Sequence, residues 1–353
     1  MVRVRFAPSP TGSLHLGGAL TAVANRRFAD ERGGAVVLRI DDTDAERTEP
    51  GAEEAILADL DWLDVRFDEG PFRQSERTLL YDQAAETLLA LGAAEAEPDG
   101  SVRFILGHRP TLVRADGRAT YHLASVVDDV DLGVTHVIRG KDLQPSQAIH
   151  EAIARALKAT PPKYVHHGLI LGPDGVKLSK RHGAASVADL RERGIPAEAA
   201  RRYLEELGLP RSDVHFDLAR IRRLSVEAIA ALSDEELARR AGAPASLAPA
   251  LRGARDLVEA RSFVEQILAP REAALLPPEA RATLERFREL RERSNGDLDP
   301  AAAKEIVREL KAVGGDLHAL RLALTGAERG PELWTVVLAL PRDEALRRVD
   351  AAL

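Results

Sequence analysis

At 353 residues, with 45% hydrophobic and 30% charged side chains, the chain is long enough for two or three domains, each with its own core. It contains no cysteine, which excludes disulfides, thiol nucleophiles and cysteine-ligated zinc. A net charge of −7 excludes a surface that coats nucleic acid throughout and leaves room only for a local basic patch.

The opening MVRVRFAPSP lacks the apolar core of a leader, and no later stretch stays apolar long enough to cross a bilayer. The expected location is therefore the cytoplasm, away from membranes. In chain order, a strand is expected over residues 2–6, a helix over about 15–32, a strand over 35–40 and a helix over 53–63. A strand at 135–139, a helix at 146–157 and an apolar strand at 164–171 follow. Strand, helix, strand in this order implies an α/β fold with a parallel sheet and right-handed crossovers. Beyond Leu207 the pattern turns to helices rich in Ala, Leu, Arg and Glu, broken at Pro210, Pro244, Pro270, Pro277, Pro278, Gly314 and Gly315. The division falls near residue 205, giving a catalytic domain over 1–205 and a helical region over 206–353.

Two segments carry candidate chemistry. APSPTGSLHLGGAL, residues 7–20, lies where the first strand gives way to the first long helix. A helix amino terminus at the carboxyl edge of a parallel sheet offers free N–H groups to phosphate, and Gly17 and Gly18 allow close approach to the backbone. Taken alone, the same residues also read as a Pro/Gly turn with Ser13 as N-cap and a solvated His15. LGPDGVKLSKRHGA, residues 171–184, runs from a strand into a turn that delivers Lys177, Ser179, Lys180 and Arg181. It lacks the Gly-Lys-Ser/Thr ending of a P-loop. Lysines on such a loop can gather charge around a breaking polyphosphate, and taken alone they are equally a solvated basic loop.

Together the segments resemble the paired signatures of class I aminoacyl-tRNA synthetases, with HLGG (residues 15–18) for HIGH and KLSKR (177–181) for KMSKS. RFAPSPTGSLHLGGA, LRIDDTDAERT, FRQSER, YHLASVVDD, THVIRG and LILGPDGVKLSKRHGA occur in the order of the glutamyl-tRNA synthetase family across residues 3–186. LRLALTG, residues 320–326, is similar to the close of its anticodon-binding domain. The resemblance implies a Rossmann-like nucleotide-binding domain followed by an α-helical anticodon-binding-type domain. It implies glutamate–tRNA ligase activity, with ATP as substrate, Mg²⁺ beside it, and glutamate and tRNA(Glu) as partners of a monomer. By the same resemblance His15, Gly17, Gly18, Lys177, Ser179 and Lys180 contact ATP. His15, Lys177 and Lys180 are then the catalytic residues, Lys180 foremost, with no metal ligand among the side chains. Arg5 and Arg139 read the substrate's side-chain carboxylate, Ser9, Tyr121 and Ser125 line its pocket, and Asp41 faces its ammonium.

The chain departs from the family at several places. Asp41 stands where Glu is usual and Ser125 where some members have Asn. Only residues 78–120 occupy the place of an acceptor-stem-binding insert, which is therefore expected to be much reduced, and the helical half is short as well. Two further readings follow from these departures. One is an enzyme that passes activated glutamate, or a similar amino acid, to an acceptor other than a complete tRNA, with the glutamyl-queuosine type as a variant. The other is a catalytically silent paralogue that binds tRNA or protein. The basic runs 220–223 and 286–293 read as solvated helix faces.

Overall fold

The computed structural model describes residues 1–44, 46–105, 109–179, 185–269, 276–294 and 296–353. Strand β1 (Arg3–Phe6) leads through α1 (Leu16–Asp30) to β2 (Ala35–Ile40), and α2 (Ala52–Trp62) leads on to β3 (Glu69–Arg73). These strands lie parallel in the order β1-β2-β3. All six residues of β2 are buried, as its near-continuous apolar sequence AVVLRI requires of a strand covered on both faces.

The segment expected to carry a reduced insert folds as α3 (Thr78–Ala90) and an antiparallel sheet of β4 (Ala94–Ala96), β5 (Val102–Phe104) and β6 (Thr111–Val113). It forms no separate core. Tyr81, Leu88, Phe104 and Leu112 share one apolar cluster with Leu123 of α4 (Tyr121–Asp131) and with Ile149 and Ile153 of α5 (Gln147–Ala156).

Strands β7 (His136–Gly140) and β8 (Lys163–His167), joined through α5, form a second parallel pair. Thr135 N–H donates to the Arg3 carbonyl at 2.8 Å and seats β7 beside β1. β1 thus has β2 on one side and β7 on the other, and the chain reverses direction of travel between them. The carboxyl ends of β1 and β7 flank that switch point, where open α/β sheets bind ligands.

The apolar strand expected over 164–171 is two strands, β8 and β9 (Ile170–Leu171), interrupted at Gly168. A Cβ on Gly168 would lie 1.9 Å from the Ser212 carbonyl oxygen, so the chain crosses here where only glycine fits. After α6 (Val187–Glu192) and α7 (Ala197–Leu207), β10 (Val214–His215) pairs in parallel with β9. That pairing keeps the segment beyond residue 205 with the first unit. The chain divides into Met1–Glu192 with Ala200–Arg220, and Arg193–Ala199 with Ile221–Leu353.

The second unit is helical: α8 (Leu218–Ala231, from its second turn), α9 (Asp234–Ala241), α10 (Ala248–Leu251), α11 (Leu257–Leu268), α12 (Arg281–Arg293), α13 (Pro300–Ala312), α14 (Leu317–Thr325), α15 (Leu333–Ala339) and α16 (Arg342–Asp350). Ser233, Asp256, Asp299 and Asp316 cap the amino ends of α9, α11, α13 and α14 with their side-chain oxygens. Gly242 and Gly326 end α9 and α14 in the left-handed conformation. Arg348 is buried and ties the carboxyl ends of two helices together. It donates to the carbonyls of Leu324 at 2.6 Å, Ile267 at 2.8 Å and Ala269 at 3.1 Å, and pairs with Glu344 at 2.6 Å. Arg348→Met keeps the stem and strands three carbonyls, so urea denaturation should register a loss on the order of 2–4 kcal/mol. An unchanged midpoint would mean that water replaces the guanidinium at no cost.

Candidate active site

A cavity of about 860 Å³ opens at the carboxyl ends of β1, β7 and β8, within the first unit. Its walls include both signature segments, and backbone hydrogen bonds hold the first to the chain that follows the second. Leu16 N–H donates to Ala185 C=O at 2.9 Å, and Val187 N–H donates to Leu14 C=O at 2.9 Å. His15 is the N-cap residue of α1 through its extended backbone and makes no side-chain cap, unlike the alternative turn reading in which Ser13 fills that place. The first turn of α1 holds no acidic residue, and although Leu16 N–H is taken by Ala185, the amides of Gly17 and Gly18 have no intrahelical acceptor, so that helix end suits an anion. A Cβ added to Gly17 would meet nothing within 4 Å, whereas one on Gly18 would meet Leu14 Cδ1 at 3.0 Å. Gly17 therefore leaves space on the cavity side that no protein atom fills.

On the opposite wall the chain turns back after β9. Gly172 N–H donates to Val176 C=O at 2.8 Å and Leu178 N–H to Ile170 C=O at 2.9 Å. This narrow turn projects Lys177 and then Ser179 into the cavity lining. Lys177 Nζ lies 2.6 Å from Asp142 Oδ2. Lys180 and Arg181 lie outside the described residues.

The deep end of the cavity is ionic. Arg139 of β7 is buried, with Nη1 donating to Tyr121 Oη at 3.0 Å and Nε to His166 Nε2 at 3.3 Å. The Tyr164 ring lies 5.0 Å from the guanidinium carbon. Nη2 is buried without a hydrogen-bond partner, and no carboxylate pairs with Arg139 among the described residues. Burial pulls this guanidinium below its ordinary value, as expected of a charge desolvated without a counter-ion.

Arg5 and Arg39 differ in this respect. Asp129 Oδ1 accepts from Arg5 Nε at 3.2 Å and from Arg39 Nη1 at 2.8 Å. Arg39 also grips Asp41 with two bonds, Nε to Oδ1 at 2.6 Å and Nη2 to Oδ2 at 3.2 Å. Burial works against the Arg39 charge, but Asp41, Asp129 and Asp128 outweigh it and hold the guanidinium well above its ordinary value. Burial likewise pushes the Asp41 carboxyl up against the pull of Arg39, and burial acting on Asp129 is overcome by Arg5 and Arg39, which hold that carboxyl low. Behind them Asp128 accepts from Gln74 Nε2 and Arg77 Nε, both at 2.8 Å, and from Tyr81 Oη at 3.0 Å. His150, its ring tilted against that of Tyr121 with centroids 5.1 Å apart, is pushed down to about 3 by burial and by Arg139, so it is uncharged at neutral pH.

His15, Gly17, Gly18, Lys177, Ser179, Arg5, Ser9, Asp41, Tyr121 and Arg139 all line the one cavity. Ser125 does not. It is buried behind the wall, where its Oγ lies 3.5 Å from Arg39 Nη2, so its expected direct place in the pocket is corrected to a place in the ion network. Arg39, Asp129 and His166 are the residues the motifs did not single out. For Arg39 a signal existed, because residues two apart at a strand end face the same side and put Arg39 beside Asp41. Among the described residues no three His, Asp or Glu side chains converge to hold a metal.

The family model for the catalytic domain of class I tRNA synthetases for E and Q matches residues 1–97 and 99–227. A glutamate–tRNA ligase 1 from Rubrobacter xylanophilus is 36% identical over 425 aligned positions, covering 99% of this chain and 97% of that protein. Because this chain has 353 residues, at least 72 of those positions have no counterpart in it. A glutamate–tRNA ligase 2 from Koribacter versatilis is 32% identical, covering 99% of this chain and 98% of its own length. In fold, the chain is similar to a crystal structure of a glutamate tRNA ligase from Elizabethkingia meningosepticum in complex with its amino acid. The TM-score is 0.81 at 23% identity, with 99% of this chain and 98% of that one covered.

The network makes a stability prediction. Arg39→Met leaves Asp41 and Asp129 buried without their shared cation and should cost about 3–5 kcal/mol at neutral pH. Asp129 is held low in the folded protein, so the stability it contributes is present above about pH 4 and is lost as pH falls through its depressed value. In the variant the stranded carboxyls gain protons readily, so the gap to the wild type should narrow as pH falls. Chemical denaturation at a series of pH values measures it, and a gap independent of pH would contradict the ionic assignment.

Proposed function

The chain belongs to the class I tRNA synthetases of the glutamate and glutamine branch, and on that premise we propose that it joins glutamate to tRNA(Glu). Glutamate and ATP form glutamyl-adenylate with release of pyrophosphate, and the 3′ end of the tRNA then takes the glutamyl group with release of AMP. The observation that carries this reading is the meeting of both signature segments across one cavity whose far end holds an unmatched guanidinium.

In the first step the α-carboxylate of glutamate attacks the α-phosphorus of ATP, and alignment and electrostatics supply the rate. His15 and the first turn of α1 receive phosphate, and the open space at Gly17 accommodates the nucleotide. Lys177 leaves Asp142 to meet the negative charge that develops on the pyrophosphate, with Ser179 beside it and Lys180 as the foremost partner. Mg²⁺ would be held by the oxygens of the ATP phosphates, the hard ligands that it prefers, and would supply countercharge there. Arg139 takes the side-chain carboxylate, with Arg5 adding field from its pair with Asp129. Asp41 faces the ammonium, Tyr121 and Ser9 wall the pocket, and Ser125 acts on it only through Arg39. The helical unit receives the tRNA, and the enzyme works as a cytoplasmic monomer.

The missing alignment positions favour a second reading, in which the acceptor is something other than a complete tRNA. Coverage of the relatives nearly end to end favours the first. Charging of tRNA(Glu) with labelled amino acid separates them. Glutamate should be esterified and glutamine refused by on the order of 2–5 kcal/mol, because a neutral amide leaves Arg139 without a counter-ion. Arg139→Ala should lose a similar amount in kcat/KM for glutamate. Equal use of glutamine would sink the carboxylate assignment, and adenylate formation with no tRNA charged would make the second reading the better one.

A second test separates fold from function. Gly17→Ala should stabilise α1 by about 0.5–1 kcal/mol, since the methyl meets no protein atom. It should nevertheless raise the KM for ATP roughly tenfold, because a misplaced reactant is costly. Steady-state kinetics beside thermal denaturation reads both, and an unchanged KM for ATP would remove Gly17 from the nucleotide site.

A further inference from the structure

His166 does not line the cavity, and its side chain meets Arg139 and Tyr164. β7 and β8 run parallel with Arg139 opposite His166 in the register. Arg139 Nε, which always carries a hydrogen, donates to His166 Nε2 at 3.3 Å. His166 therefore accepts at Nε2, and as a neutral imidazole it keeps its single proton on Nδ1. Tyr164, two residues earlier on the same face of β8, stacks on the imidazole with centroids 6.1 Å apart and planes 5° apart. The same tyrosine lies 5.0 Å from the Arg139 guanidinium carbon, while Tyr121 Oη accepts from Nη1. Arg139 is thus held at Nε, at Nη1 and across its face by three uncharged side chains, and its buried Nη2 remains without a partner.

We propose that His166 is a positioning residue for glutamate recognition, fixing the Arg139 guanidinium as a neutral acceptor so that its whole positive charge remains for the substrate carboxylate. An Asp or Glu at this place would hold Nε more tightly but would neutralise the charge that the substrate must find. Arg5 illustrates that alternative, since Asp129 already accepts from it at 3.2 Å. The inference rests on the reading of Arg139 as the carboxylate receptor.

Protonation would turn Nε2 into a donor and set a second positive charge against Arg139. The charged and titratable groups facing His166 are Arg139 on β7 and Tyr164 and His167 on β8. Burial, Arg139 and His167 all pull His166 below its ordinary value. It is accordingly neutral at neutral pH and stops accepting as pH falls through that lowered value.

Two variants of the full chain test the proposal by amino-acid-dependent ATP–pyrophosphate exchange in the presence of tRNA. His166→Leu should raise the KM for glutamate about tenfold, while kcat at saturating glutamate and the KM for ATP stay within about twofold. His166→Gln, whose Oε1 falls where Nε2 lies, should stay within about threefold of the wild type. It should also abolish the rise in glutamate KM expected of the wild type as pH falls through the lowered value of His166. The proposal is overturned if His166→Leu leaves the glutamate KM unchanged, if both KM values rise together, or if glutamine at this position rescues nothing. A wild type that activates no glutamate overturns both this proposal and the reading of the site, whereas a wild type that does so and is matched by His166→Leu overturns this proposal alone.

Discussion

A guanidinium taken out of water costs several kcal/mol unless an opposite charge meets it, and Arg139 is left in that condition by its surroundings. Its neighbours are a tyrosine hydroxyl, an imidazole and an aromatic face, none of them charged. Every other buried arginine at this end of the cavity has its carboxylate: Arg5 has Asp129, and Arg39 has Asp41 and Asp129. Arg39 is thus committed to Asp41 and Asp129, whereas Arg139 is the arginine whose charge no carboxylate meets among the described residues.

The second constraint is the backbone link between the two signature segments. Hydrogen bonds from Leu16 to Ala185 and from Val187 to Leu14 fix the amino end of α1 against the chain that leaves the lysine-bearing loop. Residues far apart in sequence, such as His15 and Lys177, therefore line one cavity. The Lys177–Asp142 contact is half exposed, so its strength is that of a surface ion pair. A polyphosphate can displace it at little cost, as the role proposed for Lys177 requires.

Much of this was legible in the sequence, because the decisive features are local. The Pro/Gly stretch after the first strand located α1, and the two signature segments located residues that line the cavity. Three features were not legible. The pairing of Arg139 with His166 depends on strand register across 27 residues, which packing of the whole sheet sets and local spacing does not. Ser125 reads as a pocket residue beside Tyr121, but the turn of α4 carries it behind the wall onto Arg39. The unit boundary falls at 220 in place of 205 because two residues, Val214 and His215, complete a strand pair begun at Ile170. A two-residue strand leaves almost no trace in a pattern of alternation.

The segment at 78–120 covers its neighbours without a core of its own. Its helix and three strands close over α4 and α5 and share their apolar cluster, so the catalytic core is sealed without a further domain. What the chain retains is the floor of the cavity, including the arginine on which the rest depends. A crystal structure of the protein with glutamate tests that dependence most directly. The account predicts the side-chain carboxylate within about 3 Å of Arg139 Nη2, with the Arg39–Asp41 and Arg139–His166 contacts unchanged. Glutamate bound with its side-chain carboxylate elsewhere, and Nη2 still unpartnered, would contradict it.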